Sequence, residues 1–203
     1  MELNSSIQSI WLILAIWGFT YLADYYLTIV SAKNHRDYLS EYISYDGSFE
    51  LTPQFQKDVD GLKLISPQFL MRWALSFLII YILWWLSVRV IQLPQYFYFL
   101  FGALFLRDVA ILLRHLRNLS VYYIAKNGGI KGRIEYSRWF VLKLSAAEFF
   151  SFCFVYLVFA IIAGSWFFLG GILGCLVIAI QHWILSKKAL ASARSIQDGA
   201  KNA

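Results

Sequence analysis

Residues 106–118 read LRDVAILLRHLRN and place several ionisable side chains within an otherwise apolar stretch. At 100° per residue on a helix, Arg107, Arg114 and Asn118 fall within about 40° of one another. Asp108 and His115 are seven residues apart and neighbour that stripe. Carboxylate, imidazole and guanidinium groups at this spacing could pair with one another, bind an ion or an anionic group, or act as acid and base.

Other apolar stretches contain isolated ionisable residues that could join this group. Asp24 shares a helix face with Thr20, Thr28 and Ser31, which lie at i−4, i+4 and i+7. Placed by depth, the ionisable residues concentrate in the centre and the inner half of the bilayer. The predicted polar intramembrane cluster comprises Asp24, Arg107, Asp108, Arg114, His115, Lys143, Glu148 and His182.

Two interpretations compete for this cluster. It could be a closed network of ion pairs that fixes helix packing, since buried charges are normally paired. It could instead line a water-accessible cavity, open to the cytoplasm, that binds an ion, an anionic headgroup or a small solute. The concentration of charge in one half of the bilayer favours the cavity. In either case Arg107 needs a partner, and we expect Glu148 first and Asp24 second, because Asp108 points about 100° away on the same helix.

The elements that must position these residues are membrane-spanning helices. The 203-residue chain is 60% hydrophobic and 19% aromatic, with a mean hydropathy of +0.59, and its apolar residues lie in runs long enough to cross a bilayer. The sequence therefore predicts an all-α polytopic membrane protein with a single transmembrane domain, 1–203. The predicted spans are 8–31, 69–91, 95–117, 138–163 and 165–186, with loops 32–68 and 118–137 and a tail 187–203.

The distribution of basic residues predicts the orientation. Five spans place both long loops and the tail on one side, and the excess of Lys and Arg in them makes that side cytoplasmic. Most tryptophans fall at the predicted interfaces, in agreement with this arrangement. We therefore expect a multi-pass protein of the cell membrane with its N-terminus outside and its C-terminus in the cytoplasm. The basic residues are Lys33, Arg36, Lys57 and Lys63; Lys126, Lys131, Arg133 and Arg138; Lys187, Lys188, Arg194 and Lys201.

Two similar helix-start signals precede the second span. Thr52-Pro53 and Ser66-Pro67 each combine a capping hydroxyl with a proline at the first helical position. The first predicts an amphipathic cytoplasmic surface helix over about 53–63, with Phe55, Val59 and Leu62 facing lipid or the bundle. Its opposite face would carry Lys57, Asp58 and Asp60.

Small and basic residues elsewhere suggest contacts of two further kinds. Gly170 and Gly174 have the small-xxx-small spacing, which predicts tight packing within the hairpin of the last two spans, with self-association as the alternative. In the second loop, Lys126, Lys131 and Arg133 could hold anionic lipid phosphates, although topology-setting charge explains them equally well.

Absent motifs narrow the function. The sequence has no HExxH zinc pair, P-loop, GxSxG elbow or dinucleotide fingerprint, and nothing in it resembles a nucleic-acid-binding box. The histidines are not at metal-ligand spacing in sequence, so no metal site is predicted, although His115 and His182 could converge in space with Asp24. No cofactor is indicated. The leading expectation is a homo-oligomeric, non-enzymatic protein of the lipid bilayer that conducts or binds an ion or small solute. The alternatives are a membrane subunit or sensor that docks a soluble cytoplasmic partner, and an intramembrane enzyme acting on a lipid.

Overall fold

The computed structural model describes residues 10–45 and 56–201, with side chains described to residue 195. Five of its helices are long and apolar enough to cross a membrane, the number that the sequence predicts. The helices of the described part are α1 Ile10–Asp37, α2 Gln56–Asp60, α3 Pro67–Trp84, α4 Pro94–Lys126, α5 Arg138–Ala163 and α6 Trp166–Lys201. A 3₁₀ turn covers Leu39–Glu41, and α3 continues into a π-helical turn, Trp85–Val90.

Two short strands join the loops on one end of the bundle. β1 (Ile43–Tyr45) pairs in parallel with β2 (Ile134–Tyr136), with Ile43 opposite Ile134. The sequence does not predict this ribbon, because a three-residue strand is too short to show an alternating pattern. We call this end of the bundle the ribbon end. Since the strands come from loops 32–68 and 118–137, the ribbon places both loops at the same end.

The long helices alternate in direction. α1 and α4 run parallel, because the contacts Thr28–His115 and Tyr38–Ala125 share one offset of 87 residues. α3 runs against α1, with Trp17 donating to Ser76 while Tyr25 stacks on Phe69. α5 and α6 form an antiparallel hairpin, whose turn uses Gly164 at a φ of 58°, a conformation that glycine adopts readily.

Both α1 and α4 extend beyond the inner limits of their predicted spans. The predicted loop 118–137 is helical as far as Lys126. The extension is stabilised by packing between the two helices, where Ala125 is fully buried and Tyr38 meets Tyr122 edge to face. Residues 118–126 therefore form a helix that packs against α1 rather than a free loop.

Close approach of α4 and α6 forms the centre of the bundle. A Cβ built at Gly170 or Gly174 would collide with the carbonyl oxygens of Phe99 or Ala103 on α4, and one at Gly102 would collide with that of Phe167. The prediction that Gly170 and Gly174 pack within the α5–α6 hairpin is therefore wrong. They allow α6 to touch the backbone of α4 instead, because the two helices run parallel at the distance that small residues permit.

The surface helix ends at Asp60, three residues before its predicted end, and packs on the bundle. Only Gln56–Asp60 is helical among the described residues of 53–63, and Phe55 lies outside them. Val59 is buried against Tyr25, Ile29 and Phe69, and Leu62 is packed against the same cluster. The predicted contact of Val59 and Leu62 with the bundle is confirmed.

Asp58 differs from the prediction, which put it on the outer face of that helix. Its carboxylate is buried and accepts hydrogen bonds from Lys63 and from Ser66. Ser66 also caps α3 as predicted, accepting from the backbone N–H of Phe69 at 3.2 Å. The hydrogen bonds from Lys63 and Ser66 hold the pKa of Asp58 below its ordinary value of 3.8.

Candidate functional site

The predicted polar cluster separates into groups on different faces of α4. Asp108 and His115 are seven residues apart, so they share the face that meets α1. Arg114 and Arg117 lie on the other side and contact α5. This division follows from the rotation of α4 about its own axis, which the sequence does not reveal.

The first group joins α1 to α4 through His115. Its Nε2 lies 3.1 Å from Oδ1 of Asp24 and 3.0 Å from Oγ1 of Thr28. The His115 side chain is 6% exposed, whereas that of Asp24 is 33% exposed. An imidazole buried between two spanning helices is thus bonded to a carboxylate that keeps part of its surface accessible.

About two turns away from His115 on α4, Arg107 pairs with its sequence neighbour. Its Nη2 lies 2.7 Å from Oδ1 of Asp108, and its Nε donates to the same oxygen at 3.1 Å. Asp108 is buried and close enough to Asp24 to interact with it electrostatically. The two carboxylates and His115 therefore form one electrostatic unit, which we call the α1–α4 site.

The expected pair of Arg107 with Glu148 is wrong, as is the second choice of Asp24. The long arginine side chain curls through the 100° that separates neighbouring residues on a helix and reaches Asp108 directly. Glu148 instead accepts from Nη1 of Arg117 at 2.7 Å. Arg117 lies ten residues further along α4, nearer the ribbon end, so depth alone misplaced the partner of Glu148.

A second polar group lies between α4, α5 and α6. Arg114 donates to Oγ of Ser145 at 2.9 Å, and the same oxygen lies 2.9 Å from Nδ1 of His182. The Arg114 guanidinium also lies over the Phe149 ring, 5.5 Å from its centroid. Ser145 links two predicted members of the cluster, Arg114 and His182, and was not itself predicted.

Lys143 takes no part in either group of described contacts. Its ammonium lies 5.9 Å from the centroid of the Trp183 ring, and Lys187 approaches the same ring to 5.7 Å. Lys143 is exposed. Lysine side chains near helix ends commonly extend towards lipid headgroups.

The three predicted lipid-contacting residues are all exposed near the ribbon end. Lys126 lies over the Tyr122 ring at 5.9 Å. Arg133 pairs with Glu135 at 2.9 Å, beside the ribbon. Lys131 is exposed between them in sequence. Their contact with lipid phosphates stays a prediction.

Two residues near the α1–α4 site were not predicted. Tyr21 on α1 lies within electrostatic reach of Asp24, Asp108 and Arg107, and also of Arg72 on α3. The spacing of Tyr21 three residues before Asp24 was a usable signal, since both then lie on one helix face. Arg72 carried no such signal, because only the packing of α3 against α1 brings it near.

Three buried side-chain polar atoms have no hydrogen-bond partner among the described residues. They are Nδ1 of His115 in the α1–α4 site, Oγ of Ser31 on α1 and Nε1 of Trp73 on α3. The sequence left open a convergence of His115, His182 and Asp24, but His182 bonds to Ser145 instead. Within 10–45 and 56–201, no group of three or more His, Cys, Asp or Glu side chains could hold a metal ion.

Comparison of the chain with models of known protein families, with curated proteins and with solved structures finds no match.

Proposed function

We propose that this membrane protein binds a small ion or polar solute at the α1–α4 site and conducts it across the bilayer or responds to it. The observation that carries the proposal is the contact of His115 with Asp24, with Asp108 within electrostatic reach of Asp24, in helices that are apolar enough to span a membrane. Ionisable groups at such positions are costly, and they commonly line the paths of ions and substrates.

The site has features that a closed structural network would not need. About a third of the Asp24 side chain is exposed, and Arg107 is 29% exposed, so neither charge is enclosed by protein. In a closed network, buried polar atoms should all have partners, since each unpaired one costs about 1–3 kcal/mol. Nδ1 of His115 has none among the described residues. These features support a site that exchanges a bound species.

We further propose that the protein lies in the cell membrane with the ribbon end in the cytoplasm, and that copies associate. The basic loops and tail favour that orientation. In the most apolar window of the α3 span only 11% of residues are buried, which leaves this helix open to lipid or to a second copy. Five spans leave little room for a pore enclosed by a single subunit, so a path shared between subunits fits the proposal.

Reconstitution into liposomes tests the function. Fluxes and equilibrium binding of monovalent cations, chloride, phosphate and protons are compared for the wild type and for Asp24→Asn. We expect at least one species to cross or bind well above protein-free liposomes, and Asp24→Asn to remove that signal.

Asp37→Asn is the matched control, because it makes the same substitution on the same helix at a side chain that is 52% exposed. It should behave as the wild type. Wild-type vesicles that neither bind nor pass any of these species would contradict the proposal, as would equal effects of the two substitutions.

A further inference from the structure

The hydrogen bonds around His115 determine which ring nitrogen carries the hydrogen. The Thr28 hydroxyl donates to the backbone carbonyl of Asp24 at 2.8 Å, so its oxygen is left to accept. The Asp24 carboxylate accepts as well. Both acceptors lie within hydrogen-bond distance of Nε2 of His115. Nε2 must therefore carry the hydrogen and share it between them.

It follows that Nδ1 of the neutral ring carries a lone pair. Nδ1 is buried and has no donor facing it in the described part of the chain. The ring is thus held from one side by a carboxylate and presents a free basic nitrogen on the other. A carboxylate in that position orients the imidazole and stabilises the imidazolium that forms when the second nitrogen gains a proton.

The charged surroundings of His115 come from three helices. α1 supplies Asp24 and also Tyr21, which lies about one turn before Asp24 on the same helix. α4 supplies Asp108 and Arg107, which face each other. From α3, Arg72 acts on Tyr21. On the α5 side of α4, Arg114 is engaged with Ser145.

We infer that the species handled at the α1–α4 site is a proton and that His115 binds it at Nδ1. This inference depends on the proposed function, and it names the ion. The chemistry of the donor set favours it, because one imidazole nitrogen suffices for a proton. A metal ion needs several ligands, and the described residues contain no such group.

The proton transfer balances without any further reactant except water. Nδ1 is buried, so the step needs a local opening of the bundle that lets a hydronium ion reach it. One O–H bond of the hydronium then breaks and leaves water, while an N–H bond forms at Nδ1 and leaves an imidazolium. The Nε2–H bond then breaks, and its proton passes 3.1 Å to Oδ1 of Asp24, leaving a neutral ring with hydrogen on Nδ1. Asp24 releases that proton to water through its exposed third. The starting tautomer returns when the Nδ1–H bond breaks and gives its proton to water, while Nε2 takes a proton from a hydronium ion and forms its N–H bond again.

Nitrogen NMR of the full chain in lipid nanodiscs tests the assignment directly. With ¹⁵N-labelled histidine, long-range ¹⁵N–¹H spectra distinguish the two neutral tautomers and the imidazolium, and His115→Gln identifies the signal among the three histidines. We expect the Nε2–H tautomer at alkaline pH and conversion to the imidazolium on acidification. A neutral Nδ1–H tautomer, or a ring that gains no proton before the protein unfolds, overturns the inference.

Proton flux into liposomes loaded with a pH-sensitive dye supplies the second readout. Wild type should acidify the lumen, His115→Gln and Asp24→Asn should fall to the protein-free rate, and His35→Gln serves as the matched histidine control. Flux of another ion without proton flux would overturn the proton assignment and leave the proposed function standing. If no ion moves or binds, the proposed function fails, and the NMR result still decides whether His115 takes up a proton.

Discussion

At the scale of single residues, the position of an ionisable side chain around α4 determines which neighbouring helix it can contact. Asp108 and His115 face α1, where the exposed Asp24 carboxylate and the Thr28 hydroxyl lie. Arg114 and Arg117 face α5 and bond to Ser145 and Glu148. The function that we propose uses the first face, because that face has both an exposed carboxylate and a buried nitrogen without a partner.

A double-mutant cycle separates the ion pairs of α4. We expect Asp108→Ala to lower the free energy of unfolding by about 3 kcal/mol, the low end for breaking a buried pair, because Arg107 stays partly exposed. Arg107→Ala and Asp108→Ala should then be coupled. Arg107→Ala and Glu148→Ala should add within about 0.5 kcal/mol, since the two side chains have different partners.

Unfolding in mixed detergent micelles measures these energies. Coupling of Arg107 with Glu148 larger than coupling of Arg107 with Asp108 would show that the native pairing differs from the one described.

The sequence predicts which residues carry charge inside the helices but not how they pair. Their identity and approximate depth follow from hydropathy and from the rise along a helix. Their partners depend on how far each helix rotates about its axis and how a long side chain bends. Arg107 shows the second effect, because its guanidinium bends round the helix to reach the adjacent Asp108, although their Cα positions place the two residues about 100° apart.

At the scale of elements, glycine sets the distance between α4 and α6. The sequence marks Gly170 and Gly174 as a packing motif but does not identify the partner helix. Small-xxx-small spacing indicates only that the backbone of a neighbouring helix can come close. The choice of α4 over α5 depends on long-range packing. In the same way, Ser66-Pro67 predicts the start of α3, because capping is local, whereas the β1–β2 ribbon joins residues far apart in sequence.

Gly174→Ala should destabilise the protein by about 1–3 kcal/mol, because the added methyl group meets the carbonyl of Ala103 and forces α4 and α6 apart. Gly18→Ala is the matched control within a spanning helix. There the methyl group meets the end of the Phe77 side chain, which can move, and the gain in helix propensity offsets part of the cost. Thermal unfolding in detergent compares the two variants. A smaller loss for Gly174→Ala than for Gly18→Ala would contradict the close approach.

The junction of α2 with α3 should lose stability in acid. The folded pKa of Asp58 lies below its ordinary value of 3.8, so its hydrogen bonds stabilise the junction above that pH. This contribution falls as the pH drops below the ordinary value and is lost once the pH passes the folded pKa. Hydrogen exchange at the Phe69 amide, which donates to Ser66, reports it. The protection factor of this amide, which is its intrinsic exchange rate divided by its observed rate, should fall in acid in the wild type. Asp58→Asn should remove that pH dependence. If Asp58→Asn kept the wild-type pH dependence of exchange at the Phe69 amide, this explanation would be contradicted.

At the scale of the whole molecule, the directions of the helices fix which segments share a side. α1, α4 and α6 run parallel while α3 and α5 run against them, so both loops and the tail lie at the ribbon end. Charge distribution leads to the same grouping from the sequence alone. The two agree because successive spans run in opposite directions, whichever way the helices pack against one another.

Cysteine labelling assigns the ribbon end to a side of the membrane. In a background carrying Cys153→Ala and Cys175→Ala, single cysteines are introduced as Ile130→Cys and Ser195→Cys. We expect neither to react with an impermeant maleimide applied to intact cells, and both to react in inverted vesicles. Labelling of either position from outside the cells would contradict the orientation that we propose.

Water access at Asp24 tests the central claim most directly, because an exchanging site needs water and a closed network does not. In the same cysteine-free background, Asp24→Cys is compared with Leu78→Cys, which replaces a residue that is 53% exposed on the apolar surface of α3. A charged methanethiosulfonate reacts with hydrated thiolates and hardly with thiols in lipid. We predict that the reagent, applied from the ribbon end, modifies Asp24→Cys and leaves Leu78→Cys unmodified. An Asp24→Cys variant as unreactive as Leu78→Cys would contradict the account and indicate a sealed structural network.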